Sequence, residues 1–299
     1  MCAERDDYMY SAVAAEGFIR VIGAETSKLT EEARKIHNTT PVATAALGRV
    51  LTAAAMMSKG LKNEEDTMTM QFKGNGPLGL VVAVTDSHAN VRGYVGNPDC
   101  DLPLNPRGKL DVGGAIGKGY LNIIKDMGLK EPYSGTIPLV SGEVAEDISC
   151  YMAVSEQVPS VVSLGVLVGP GTDGENHVLC SGGFILQLMP GAPENLISSL
   201  EDRVNGLQSI TKLLSSGKSI HEIIRDLLEG YDITNESESS CGYNCSCSRE
   251  KMAGALISLG RREIEDIIET QGRAELTCQF CRTSHVFDKE ELETILDSL

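Results

Sequence analysis

Two short cysteine pairs near the C-terminus constrain this chain more than any other feature: Cys245-Ser246-Cys247 and Cys278-Gln279-Phe280-Cys281, thirty residues apart. A C-x-x-C pair brings two sulfurs round a tight turn to one face, and a nearby C-x-C pair supplies two more. That donor set suits tetrahedral zinc, which takes thiolates at about 2.3 Å. Four closed protein ligands leave no open position, so such a site is structural rather than hydrolytic. The metal ligands expected are Cys245, Cys247, Cys278 and Cys281, and the cofactor is Zn2+.

The residues between the pairs fit a compact fold around the metal. Ser248-Arg249-Glu250-Lys251 opens a helix with Met252, Ala255, Leu256 and Leu259 on one face, ended by Gly260. A second helix follows over Arg261–Thr270, with Ile264, Ile267 and Ile268 inside. Ala274–Thr277 and His285–Phe287 pair as a hairpin whose turn is the second cysteine knuckle. Asp288 and Glu291 have the D-x-x-E spacing of a capping box for a last helix. A domain this small is marginal without metal, and zinc ligation contributes on the order of 10 kcal/mol to such folds. Oxidants attack thiolates according to their exposure and ionisation, so oxidation that pairs neighbouring cysteines would remove the main support of the fold. By proximity along the chain the natural pairs are Cys245–Cys247 and Cys278–Cys281.

Composition narrows the function. The 299 residues carry a formal net charge of −16, which opposes binding to phosphate backbones. The tail from Cys241 to Leu299 has 7 basic and 11 acidic side chains, which argues against the alternative of a zinc-ribbon-like nucleic-acid or translation-associated factor. Ribbons also space their knuckles by about 15–20 residues and carry basic loops. With no Trp and 4% aromatics, stacking platforms for single strands are not expected either. No apolar run reaches the roughly 18 residues that span a bilayer. The start, Met1-Cys2-Ala3-Glu4-Arg5-Asp6-Asp7, is polar and acidic rather than a secretory signal. The expectation is a cytoplasmic protein with no membrane and no nucleic-acid partner. Nine cysteines in a reducing compartment point to metal or redox chemistry rather than a disulfide framework.

Ahead of the cysteines the fold class expected is α+β. Val13–Ile22 reads as a strand, Thr30 as the cap of a helix, and Thr40-Pro41 as the opening of an alanine-rich helix that stops near Gly60. Thr67–Phe72, Leu80–Thr85, Val91–Val95 and Tyr120–Lys125 read as strands. Ser141-Gly142-Glu143-Val144 reads as the start of a helix over Ala145–Gln157. Val161–Val168 and Val178–Leu188 are strands around a glycine-rich loop. From Pro193 the spacing of Leu196, Leu200, Val204, Leu207, Ile210 and Leu214 turns helical. Ser219 caps a further helix over Ile220–Leu228. Thr234–Ser240 has the polar, small composition of a linker. The expected organisation is an N-terminal mixed α/β core over residues 1–190, a helical middle region and linker over 191–240, and a small C-terminal zinc-binding redox-switch domain over 241–299.

Other motifs carry less. Gly74, Gly76 and Gly79 match G-x-G-x-x-G, but Pro77 and a strand follow where a nucleotide site needs a helix. Gly113–Gly119 resembles a P-loop without its spacing or its Ser/Thr. His37, His88, His177 and His221 lie apart, and no nucleophile elbow accompanies them. A thiol–disulfide enzyme built on Cys278–Cys281 lacks a thioredoxin-like β-α-β context, so the chain is not expected to be an enzyme. Met56, Met57, Met68 and Met70 read as core rather than as an adaptable contact surface.

Several of these segments together resemble the heat shock protein 33 family, the redox-regulated bacterial holdase chaperones. They are Cys245-Ser-Cys247-Ser-Arg-Glu-Lys, Cys278-Gln-Phe-Cys281, Thr40-Pro-Val-Ala-Thr-Ala-Ala-Leu-Gly-Arg49, Gly76-Pro-Leu-Gly79, Val91-Arg-Gly-Tyr-Val95 and Glu143-Val-Ala-Glu-Asp147. The similarity runs over essentially the whole chain. It implies an ATP-independent chaperone that is inactive when reduced and zinc-bound. On oxidation it would form two disulfides, release zinc, unfold its C-terminal half and expose apolar surface to unfolded or partly unfolded client proteins. It also implies a homodimer on activation, with Pro193–Tyr231 as a metastable region that the zinc domain keeps folded. The chain departs from the family pattern at Cys241, an extra cysteine that could swap in as ligand or disulfide partner. It departs again at His285, where the family tends to have an aromatic residue and which is a spare ligand in principle.

Overall fold

The structure is a computed structural model that describes residues 5–297 and Leu299; Cys2 and the rest of the polar start ahead of Arg5 lie outside the described residues. Its contacts form two compact units, one ending at Asn244 and the other beginning at Cys245. The architecture is mixed α and β throughout, as expected.

The first unit opens with strands β1 (Tyr8–Ala14) and β2 (Ile19–Glu25), joined by a tight turn at Ala15–Gly17 whose three residues all have positive φ. This corrects the single strand expected over Val13–Ile22: the apolar pattern continues on both sides of the turn, and Gly17 is its one marker in the sequence. Helix α1 (Ser27–His37) starts before Thr30, because the carboxylate of Asp7 accepts the N–H groups of Lys28 and Leu29 at 3.0 and 2.5 Å. Thr30 instead donates its hydroxyl to Ser181 inside the core. Helix α2 (Pro41–Met57) begins as its sequence requires, with Thr40 Oγ1 accepting from Ala43 N–H and Pro41 in the first turn.

Strands β3 (Thr67–Gly74), β4 (Leu80–Asp86) and β5 (Asn90–Val95) follow, then the short helix α3 (Val112–Ile116), β6 (Gly119–Asp126) and β7 (Tyr133–Pro138). The last of these is an edge strand that the sequence pattern does not announce. Helix α4 (Ala145–Val154) lacks the expected cap at Ser141. Val144 sits before it at positive φ, and Asp147 accepts from the Val140 and Ser141 N–H groups instead. Strands β8 (Ser160–Pro170) and β9 (Asn176–Leu188) precede three helices, α5 (Glu194–Gly206), α6 (Ile210–Ser215) and α7 (Ile220–Leu227). Helix α7 carries a complete capping box between Ser219 and Glu222.

Thr234–Ser240 is not a linker. It lies in strand β10 (Ile233–Ser240), antiparallel to β1, and β11 (Gly242–Tyr243) continues it alongside β5. Main-chain pairing with an open strand edge overrides the loop-like composition. The five-stranded sheet runs β10-β1-β2-β9-β8 and the six-stranded sheet β11-β5-β4-β3-β6-β7.

Helix α2 packs against strands of both sheets, and nearly every one of its residues is buried. Its alanines let the strands approach closely. By length and composition Pro41–Gly60 would span a membrane, contrary to the sequence expectation, but 83% of that window is buried inside the fold. Met56, Met68 and Met70 sit in this core, fully enclosed. A second core lies on the other face of the five-stranded sheet. There Tyr10, Ile19, Val21, Phe184 and Leu186 pack under Leu200, Leu214, Ile220, Ile224 and Leu227 of α5–α7.

The G-x-G-x-x-G stretch is a packing device. A Cβ on Gly74 would lie 1.8 Å from the Ile116 carbonyl oxygen, and Gly76 donates its N–H to that oxygen. The glycines let β3 and α3 meet backbone to backbone.

The second unit contains α8 (Arg249–Ile257), α9 (Arg261–Thr270), the hairpin β12 (Arg273–Thr277) and β13 (Ser284–Asp288), and α10 (Lys289–Asp297). Asp288 and Glu291 exchange their backbone N–H groups and carboxylates at 3.0 Å each, the capping box read from the sequence. The unit's enclosed core is small: Leu256, Ile264, Ala274, Phe287 and Leu292.

Candidate metal centre

The four cysteines of the two pairs converge. Cys245 and Cys247 lie on the loop before α8, and Cys278 and Cys281 on the turn between β12 and β13. Their sulfurs all lie within 4.8 Å of one another, with Cys245–Cys278 at 3.7 Å and Cys247–Cys281 at 3.3 Å. A regular tetrahedron with metal–sulfur bonds of about 2.3 Å has edges of about 3.8 Å, so these spacings fit one metal ion. All four are free thiols, buried or half-buried.

The backbone explains the convergence. Thr277 pairs with Ser284, their hydroxyls 2.8 Å apart, and this closes the hairpin. Within the turn Cys278 N–H donates to Thr283 O and Arg282 N–H to Cys278 O, with Arg282 at φ 58. The first knuckle is fixed from α8: Ser248 caps it, and Lys251 Nζ reaches back to Ser246 O at 2.7 Å. Arg249 joins the parts. Its guanidinium lies over the Phe287 ring at 4.4 Å, donates to Val286 O at 2.7 Å and pairs with Glu291.

Without metal the thiols are not equivalent. Burial pushes Cys245 upward, opposed by the Cys247 N–H. Cys247 is held far above the ordinary thiol range by its hydrogen bond to Cys281 and by burial. Burial would raise Cys281 too, but the hydroxyl and N–H of Thr283 and the neighbouring thiols outweigh it and hold it at about 6. Four converging sulfur donors are the ligand set that soft metal ions take.

The other candidates lie elsewhere. Cys241 is in the first unit, between β10 and β11, with Sγ 3.8 Å from Glu25 O. His285 is on β13 opposite Leu276. Among the described residues the mutually close donors are the four cysteines, without Cys241 or His285. His37 meets Tyr243, His177 bridges Glu31 and Asp173, His221 stacks on Tyr10, and His88 is exposed, so the histidines share no site. The sequence reading missed the supporting set of Arg249, Lys251 and Thr283. The one available signal was their placement within a few residues of the knuckles.

An α+β core followed by a small unit in which four thiols converge defines the class of protein. A family model described as Hsp33 protein matches residues 7–288. The 33 kDa chaperonin of Ruminiclostridium cellulolyticum is 49% identical over 290 residues, covering 97% of this chain and 98% of the relative. That of Acetivibrio thermocellus is 49% identical over 287 residues, covering 96% of each. The crystal structure of the 33 kDa chaperonin (heat shock protein 33 homolog) from Thermotoga maritima superposes with a TM-score of 0.89 at 38% identity, covering 98% of this chain and 99% of that one. The chain belongs to the Hsp33 family, a family of chaperones.

Proposed function

We propose that this protein is a redox-regulated, ATP-independent holdase of the cytoplasm, a binding protein rather than an enzyme. The observation that carries the reading is the four-sulfur cluster within 4.8 Å on a unit whose enclosed core is five side chains. Cys245, Cys247, Cys278 and Cys281 would hold Zn2+, and bound zinc supplies the cross-link that so small a core needs.

Oxidation undoes that arrangement. In each pair two thiols lose two electrons and two protons to one peroxide, which is reduced to two waters as an S–S bond forms. Disulfide sulfurs are no longer thiolate donors, so the site ceases to be a metal site. The pairs are Cys245–Cys247 and Cys278–Cys281. The cross-pairs Cys245–Cys278 and Cys247–Cys281 are close in the folded unit, at 3.7 and 3.3 Å, but once the fold loosens only neighbours in sequence remain tethered at high effective concentration.

Loss of the unit would destabilise the middle region, 191–240. Release of α5–α7 would uncover Tyr10, Ile19, Val21, Phe184 and Leu186 of the five-stranded sheet to unfolded or partly unfolded clients. The activated form would be a homodimer without nucleic-acid or membrane partners. The test is suppression of client aggregation by reduced and by peroxide-treated protein, with zinc release and thiol loss titrated in parallel. Oxidised protein should suppress aggregation, with zinc release tracking thiol loss. Equal activity in both states with zinc retained would reject the switch.

A further inference from the structure

The strand that leads into the metal unit is unlike its neighbours. Strand β10 reads Ile-Thr-Asn-Glu-Ser-Glu-Ser-Ser, and all but its first and seventh residues are exposed. Ser, Asn and Glu are poor strand residues. Asn235 holds a left-handed φ of 51, and the register with β1 shifts between Ser11 and Val13. The side chains of β10 are held by surface contacts: Tyr10 and Arg225 on Glu236, Ser11 on Ser237, Lys59 on Ser239. Of these, the Ser11–Ser237 and Arg225–Glu236 pairs are exposed and hold little.

The strand beneath is the opposite. Strand β1 reads Tyr-Met-Tyr-Ser-Ala-Val-Ala, with Met9, Tyr10, Ala12 and Ala14 buried. With β10 removed, β1 becomes the edge of the five-stranded sheet, because β2 already occupies its other side. An apolar edge with free N–H and C=O groups is a template for pairing with another chain.

From this we infer that β10 is a displaceable strap, and that the edge of β1 it covers is a docking site for an extended client segment added as a strand. The occupant is argued from the strap itself, an extended segment already seated there in antiparallel register. Cys245 follows directly on β10, β11 and Asn244, so unfolding of the metal unit leaves the strap's C-terminal end held only by the two-residue pairing of β11 with β5 and the bonds beside it. Affinity comes from main-chain hydrogen bonds, which every unfolded chain offers. The segment seated there places Ser240 opposite Tyr8 and Glu238 opposite Tyr10, so the site demands an extended backbone before any side-chain type. The inference rests on the holdase reading and adds the strand edge of β1 to the sheet face under α5–α7, the two meeting at Tyr10.

Hydrogen exchange tests it, with urea-denatured luciferase as the client and aggregation suppression measured on the same samples. Oxidation should speed amide exchange in both β10 and β1 by about tenfold or more, and client should restore protection to β1 and not to β10. Suppression without exposure of β1, or without its reprotection, overturns the docking site and leaves the holdase reading standing. Zinc release with no suppression overturns both. A second variant locks the strap. Ser11 Oγ and Ser237 Oγ are 2.8 Å apart, so Ser11→Cys/Ser237→Cys forms a cross-strand disulfide under the same oxidant. With that bond verified by mass spectrometry, the variant should still release zinc and lose most of its suppression. Full suppression by the locked protein overturns the proposal.

Discussion

The buried carboxylate of Glu25, at the end of β2, accepts the N–H of Ile220, the first residue of α7, at 2.8 Å. Tyr8 OH donates to the same carboxylate at 3.3 Å and Arg5 lies 3.5 Å away. One side chain of the core thus fixes the start of a middle-region helix. Glu25→Ala leaves the Ile220 N–H without its acceptor, a loss of about 1–3 kcal/mol. Faster hydrogen exchange confined to α7 and its neighbours, and aggregation suppression at lower oxidant doses, are the expected outcomes. A uniform loss of stability across both sheets would contradict the assignment.

The metal unit should not survive loss of one ligand. Cys278 is 5% exposed at the turn of the hairpin, and its sulfur lies 3.7 Å from Cys245. Cys278→Ser should abolish stoichiometric zinc and unfold residues from Cys245 onward, since ligation contributes on the order of 10 kcal/mol. The core around α2 between the two sheets should stay folded, while α5–α7 loosen along with the metal unit. Zinc analysis and amide dispersion by NMR check both halves.

Much of this centre was legible because its signals are local. Two cysteine spacings, the D-x-x-E at Asp288 and the helix starts at Thr40 and Ser219 are each set by residues within one turn of chain. What the sequence hid is non-local. The cap of α1 comes from Asp7, twenty residues upstream of Ser27. Thr234–Ser240 became a strand only because β1 offers it an edge. The alanines of α2 announced one close neighbour, but only the fold shows two sheets enclosing it.

Glu31 carries a pH dependence of its own. Burial would raise its carboxyl, but Arg34 at 2.8 Å, the Val178 N–H at 3.0 Å and His177 outweigh it and lower it from 4.5 to about 2. A carboxylate whose folded value lies below its unfolded one stabilises the fold above about 4.5 and loses that contribution as pH falls towards about 2. Glu31→Gln should therefore cost ~2 kcal/mol at pH 7, less than full linkage because the cluster touches solvent. The gap to the parent should close on acidification through that window. Urea denaturation across pH gives the comparison, and a gap independent of pH would show the effect to be packing alone.

Cys241 tests whether the extra cysteine belongs to the metal centre or to the strap. Its sulfur lies in the first unit, packed against the main core, 3.8 Å from the Glu25 carbonyl. Burial, helped by Asp7 and opposed by Lys59, pushes its thiol up to about 12. A thiol in that state is neither a ligand nor a ready nucleophile at pH 7. Cys241→Ser should keep full zinc content and the same zinc-release curve with peroxide. In the parent protein Cys241 should resist iodoacetamide while zinc is bound. It should become alkylated as β10 and β11 detach, at a rate matching the loss of amide protection in β10. Reduced zinc content in Cys241→Ser would return Cys241 to the ligand set. Rapid alkylation of the zinc-bound parent would show that the strap opens without the metal unit.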